Sequence, residues 1–215
     1  MSRIAIPDIT SATGATADIY ARVKKISGGR VPNTYAALGY LVPASLAAVL
    51  DAQGTLNSGS LSRQEHETIK LLVSEKTGCD VCVAAHSFVG KLVGLPVDAL
   101  RAIRAGQPTG DARRDALVRF VSHLHTTSGT ISEDEFNAIR AAGYTDTQLA
   151  EISLTIALGI FTNTFNRMNG TRQLSASRVS RLAGRAWHHT SRFRPAPHGR
   201  TCADTRDIKP LSWNS

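Results

Sequence analysis

Glu67, Cys79, Cys82 and His86 are the residues of this chain whose types and spacing can do chemistry together. Two of the three cysteines form a C-x-x-C pair, and a histidine follows four residues after the second. On a helix of 3.6 residues per turn, Cys82 lies about 60° and His86 about 20° round from Cys79, so both sulfurs and the imidazole share one narrow face. A helix that begins at the cysteines holds both in its first turn, where unpaired N–H groups and the helix dipole favour an anion. The anion available is a thiolate. A thiol with an unperturbed pKa of about 8.5 is only slightly ionised at neutral pH, so this setting bears on reactivity.

Taken alone, these residue types leave several readings open. A C-x-x-C pair in an α/β chain points to a thioredoxin-like fold, but no strand pattern is present here. A zinc site would take Cys79, Cys82 and His86 as three ligands, with His66 or Glu67 as the fourth. Structural zinc usually draws its ligands from separate elements, and a second C-x-x-C or an H-x-x-H is missing, so no metal and no cofactor are expected. The plainest reading is two buried cysteines and a core histidine. Three reactive residues on one face, at a helix start and after a glycine break, argue against it.

The elements that must position these residues follow from periodicity. Ser62-x-x-Glu65 is a capping-box pattern opening a helix through Glu67, Ile69, Leu72 and Val73. That helix breaks at Thr77-Gly78, and a second begins at the cysteines, burying Cys82, Ala85, Val89 and Leu92 or Val93. Upstream, Ile19, Val23 and Ile26 mark a helix that ends at Gly28-Gly29, Asn33 to Leu41 a short one, and Leu46, Val49 and Leu50 another that stops near Gly54. Downstream, Pro96 begins a short helix through Ile103. Asp111 caps one carrying Leu117, Phe120, Val121 and Leu124. Ser132-x-x-Glu135 and Thr145-x-x-Gln148 are two more capping boxes, the second opening a long apolar helix from about Asp146 to Asn169, with Gly170 just past its end. The class is all-α: no sustained period-two alternation or hairpin dipeptide between alternating runs is found.

The chain is 215 residues long with a net charge of +8. The charge is unevenly placed. Residues 172–215 hold nine basic side chains against Asp204 and Asp207, or +7, while residues 1–171 carry only +1. A nearly neutral body argues against a nucleic-acid partner. Three cysteines make no disulfide framework, and a C-x-x-C fits a reducing compartment. The N-terminus lacks the apolar run of a signal peptide, and Ile152 to Phe161 is too short to span a bilayer, so a cytoplasmic protein is expected. Residues 1–14 read as a flexible N-terminus, 15–171 as one helical domain, and 172–215 as a disordered or weakly ordered basic tail.

The pattern Glu-x11-Cys-x-x-Cys-x3-His, met by Glu67, Cys79, Cys82 and His86, resembles the motif of the AhpD-like alkylhydroperoxidases within the carboxymuconolactone decarboxylase family. The likeness extends to Leu61–Glu67, Ala84–His86, Gly90–Pro96, Ala142–Tyr144 and the segment from Phe161 through Asn163 to Asn166, and covers roughly residues 15–171. Val81 stands where the family often has an aromatic residue or histidine, and the basic tail replaces its short acidic ending. The resemblance implies an AhpD-like helical fold and a homo-oligomer, built of trimers or dimers of trimers. It also implies reduction of alkyl hydroperoxides by a cysteine pair that an unidentified thiol reductant resets. Carried over, Cys82 is the peroxidatic cysteine, Cys79 the proton donor and resolving thiol, and Glu67 with His86 the proton relay. The alternative is a non-redox member, either a decarboxylase-type lyase or a helical oligomer that binds a small molecule.

Other residues carry weaker signals. Glu75 is a substitute for Glu67 in the relay or a solvated helix-end acid. His123 and His125 point to different faces of one helix and read as surface or packing residues. Asn163 and Asn166 sit in an apolar helix and need partners if buried; they read as structural hydrogen-bonding residues, with active-site lining as the alternative. Cys202, in the tail, reads as a free thiol.

Overall fold

The computed structural model describes residues 2–171; the tail from 172, with Cys202, lies outside the described residues. The described chain is all-α, with no strand. After a 3-10 turn at Ile9–Ser11 come α1 (Gly14–Ile26), α2 (Asn33–Leu41), α3 (Pro43–Asn57), α4 (Arg63–Thr77), α5 (Asp80–Leu92), α6 (Val97–Ala105), α7 (Ala112–Thr126), α8 (Glu133–Ala141) and α9 (Asp146–Asn169). The three capping boxes close as their sequences require: the side chains of Ser62, Ser132 and Thr145 accept from the N–H three residues on, and Glu65, Glu135 and Gln148 reach back. Asp111 caps α7. Helix boundaries differ from the sequence reading at several ends. Helix α3 runs past Gly54 to Asn57, and Pro96 is the cap of α6 rather than its first residue.

Helix α4 is central. It packs on α5, α6, α7 and α9, and Ile69, Leu71, Leu72 and Val73 are fully out of solvent. Each such side chain contributes about 1.5–3 kcal/mol relative to exposure. The main core joins these residues to Leu100 and Ile103 of α6, Leu117 and Val121 of α7, Ile139 of α8 and Ile152 of α9. A second core gathers Ile19, Tyr20 and Val23 of α1, Leu38 of α2, and Leu46 and Leu50 of α3, with Phe165 of α9 packed against it. Helix α9 therefore ties the two cores together.

The start of α4 is anchored from outside by Arg113 of α7. Its guanidinium bonds Glu65 at 3.0 Å, donates to the carbonyls of Ala142 and Gly143, and stacks 3.9 Å over the Tyr144 ring. Burial, joined by the nearby Glu65 charge, pushes the Tyr144 phenol well above its ordinary range, so it stays neutral. At the other end of the chain body, Arg3 N–H donates to the Asn169 carbonyl and Ile4 N–H to Asn169 Oδ1, both at 2.7 Å, holding this N-terminal stretch against the end of α9.

The long helix α9 faces inward with an unexpected set of residues. Its buried stripe is Gln148, Ile152, Thr155, Gly159, Asn163, Asn166 and Asn169, a helical spacing that is mostly polar. Leu154, Ile160, Phe161 and Met168 face outward, Met168 being 61% exposed. On α5, Leu92 is likewise 69% exposed, while Val93, its alternative in the sequence reading, is half-buried. Among the described residues no helix is long and apolar enough to cross a membrane.

Candidate active site

The site forms at the corner between α4 and α5. Gly78 takes the left-handed conformation, φ 68°, that ends α4, and the Cys79 N–H turns back to the Ser74 carbonyl at 3.0 Å. Cys79 is thus the cap of α5, one position earlier than a first-turn residue, and Cys82 lies in the first turn. The N–H groups of Cys82 and Val83 both bond the Cys79 carbonyl at 2.9 Å, which fixes the sulfur-bearing turn. Cys79 and Cys82 are joined by a disulfide, Cα to Cα 5.3 Å, and both are buried.

Glu67 and His86 meet across the corner: Nδ1 of His86 lies 2.8 Å from Oε2 of Glu67. The other carboxylate oxygen accepts from Lys70 Nζ at 3.2 Å, one turn along α4. Burial pushes the Glu67 carboxyl up, but the His86 hydrogen bond and charge, with the Lys70 ammonium, more than offset this and hold it below its ordinary value. A carboxylate on Nδ1 keeps a proton there and leaves Nε2 as the basic nitrogen. His86 follows Cys82 by one helical turn, so the two share a face of α5.

The structure therefore brings all four sequence-predicted residues to one corner. The secondary candidates go elsewhere. Glu75 binds Arg104 of α6 at 2.6 Å. His66 Nε2 donates to the Leu56 carbonyl at 3.1 Å, and its Nδ1 lies 3.3 Å from Thr155 Oγ1, so both nitrogens are engaged away from the sulfurs. Burial, with the Lys70 charge next, pushes the His66 imidazole pKa down. No group of three potential metal ligands occurs among the described residues. His123 pairs with Glu135 between α7 and α8.

Asn163 and Asn166 of α9 both find partners. Asn163 donates to Ser74 Oγ at 3.2 Å and Thr77 Oγ1 at 3.0 Å, bracing the last turn of α4, while its Oδ1 has no partner among the described residues. Asn166 donates to Cys82 Sγ at 3.3 Å and accepts from Thr34 of α2 at 2.8 Å. Thr34 and Lys70 were not singled out from sequence. The i, i+3 spacing could have suggested Lys70 for Glu67, whereas Thr34 is 132 residues from Asn166 and gives no local signal.

No family model matches the chain, and no curated protein matches it. Solved structures do. The AhpD core of a peroxidase-related protein from Ralstonia eutropha superposes with a TM-score of 0.69 at 22% identity, over 80% of this chain and 92% of its own. The chain has an AhpD-like fold. A peroxidase-related protein from Silicibacter sp. agrees, with a TM-score of 0.68 at 20% identity over 80% of this chain and 91% of its own. The debrominase Bmp8, solved with 2,3,4-tribromopyrrole, shares the AhpD-like fold too, with a TM-score of 0.64 at 15% identity over 77% of this chain and 89% of its own.

Proposed function

We propose that the protein is a thiol-dependent peroxidase that reduces alkyl hydroperoxides through a Cys79/Cys82 disulfide cycle, with Glu67 and His86 as its proton relay. The observation that carries this reading is the 2.8 Å contact between Glu67 and His86, set on the same corner as the bonded cysteine pair. His86 takes the Cys82 proton. The Cys82 thiolate attacks a peroxide oxygen, forming an S–O bond and breaking the O–O bond, and Cys79 donates the proton with which the alkoxide leaves as an alcohol. The Cys79 thiolate then attacks the Cys82 sulfenic sulfur, and hydroxide leaves as water with the proton held by the relay. The dithiol loses two electrons, the hydroperoxide gains them, and a thiol reductant restores the pair. The outward apolar residues of α9, with Phe88 and Leu92 of α5, support assembly as a homo-oligomer.

The test is one equivalent of an organic hydroperoxide added to the reduced protein. Stoichiometric alcohol, loss of both thiols and a mass lower by two hydrogens are expected. Retention of both thiols would defeat the reading. The fold shared with the debrominase supports a second use of the same two electrons, reductive removal of halide, which bromide release from 2,3,4-tribromopyrrole would detect.

A further inference from the structure

Asn166 is buried in the last turn of α9, and its side chain spans two elements: Nδ2 is 3.3 Å from Cys82 Sγ, and Oδ1 accepts from Thr34 Oγ1 at 2.8 Å. A disulfide sulfur has no proton to give, so the amide must present N–H to it, and the Thr34 hydroxyl then donates to the amide oxygen. The orientation of the amide is set from both ends.

We propose that Asn166 is a catalytic residue: its N–H stabilises negative charge on Cys82 Sγ, with Thr34 as the positioning residue that aims it. The assignment deepens the peroxidase reading and rests on it for its use in turnover. A donor that makes a weak hydrogen bond to a disulfide sulfur makes a charge-assisted one to a thiolate. The charge arises on Cys82 twice. It is present when the reduced enzyme awaits peroxide. It returns on reduction: a reductant thiolate attacks Cys79 Sγ, a new S–S bond forms, the Cys79–Cys82 bond breaks, and the electron pair settles on Cys82. A second reductant thiolate then attacks the reductant's sulfur in the mixed disulfide and releases Cys79. Unlike His86, an amide takes no proton, so Asn166 favours the charged sulfur without joining the relay. Its contribution is therefore separable from that of the charged and titratable groups at the corner: Glu67 and Lys70 of α4, His86 and the first-turn Asp80 of α5, and Tyr35 of α2, which feels the Glu67 charge.

The test uses the Cys79→Ser, Cys202→Ser protein, where Cys82 is the one thiol left, carrying Asn166→Leu or Thr34→Val. The pH profile of iodoacetamide alkylation reads thiolate formation without any peroxide chemistry, and tert-butyl hydroperoxide is then added in parallel. Asn166→Leu is expected to move the alkylation midpoint up by about one pH unit and to slow both reactions roughly tenfold at neutral pH, the size of a lost hydrogen bond to a charged group. Thr34→Val keeps the amide and should give a smaller shift in the same direction, so the proposal is testable even if the leucine variant folds poorly. Alkylation profiles superimposed on that of the parent would overturn it. Shifted alkylation in these variants, with both Cys79 and Cys82 thiols kept after hydroperoxide in the parent protein, would uphold the Asn166 assignment while defeating the peroxidase reading.

Discussion

Nδ1 of His86 sits 2.8 Å from Oε2 of Glu67, joining the middle of α4 to the second turn of α5 across the Gly78 corner. The pair is mostly buried, and Lys70 completes it, so one carboxylate serves both a relay and the packing of two helices.

Glu67→Gln removes the charge and keeps the shape. The folded Glu67 carboxyl ionises below its ordinary value of about 4.3, so its stabilisation is fully present above that pH and is lost as pH falls through the lower folded value. The variant should be less stable than the parent at neutral pH by about 1–3 kcal/mol, with the gap closing in acid, as denaturant melts across pH would read. Thiol oxidation by hydroperoxide should slow roughly a hundredfold, the low end of what a positioned base contributes.

Cys82→Ser should abolish peroxide consumption. Cys79→Ser should lose turnover and let Cys82 climb to sulfinic acid, since the thiol that closes on the sulfenic acid has been removed. Mass spectrometry after peroxide treatment distinguishes them. A sulfenic acid in Cys82→Ser and none in Cys79→Ser would reverse the two roles.

Gly90 is where α5 meets α6. An added Cβ would lie 2.8 Å from Leu100 Cδ2 and 3.2 Å from Leu95 Cδ1. Gly90→Ala should destabilise the fold by about 1–3 kcal/mol through overpacking, beyond any gain in helix propensity. Chemical denaturation reads the loss, and the Cys79–Cys82 pair should still close with hydroperoxide.

The outward residues of α9 bear on assembly. Sedimentation equilibrium at micromolar concentration should find the protein as a homo-oligomer. Phe161→Glu together with Ile160→Lys should shift it toward the monomer, because charges on an apolar contact must be desolvated to associate. A monomeric parent protein would remove the basis for the oligomer.

The sequence by itself determined the local structure and the chemical inventory. Capping boxes at Ser62, Ser132 and Thr145 and the breaks at Gly78 and Gly170 placed helix ends, because caps depend on residues three or four apart. The spacing of Cys79, Cys82 and His86 placed them on one helical face for the same reason. Tertiary structure alone decided what reaches them from elsewhere. Packing brings Asn166 of α9 to Cys82 across 84 residues of chain, and Thr34 of α2 to Asn166 across 132. It also decided which face of α9 turns inward. Hydropathy favours burying Leu154, Ile160 and Phe161, yet the buried stripe carries Thr155, Asn163 and Asn166. A buried amide is stable only where partners wait for it, and Ser74, Thr77, Cys82 and Thr34 supply them from three other helices.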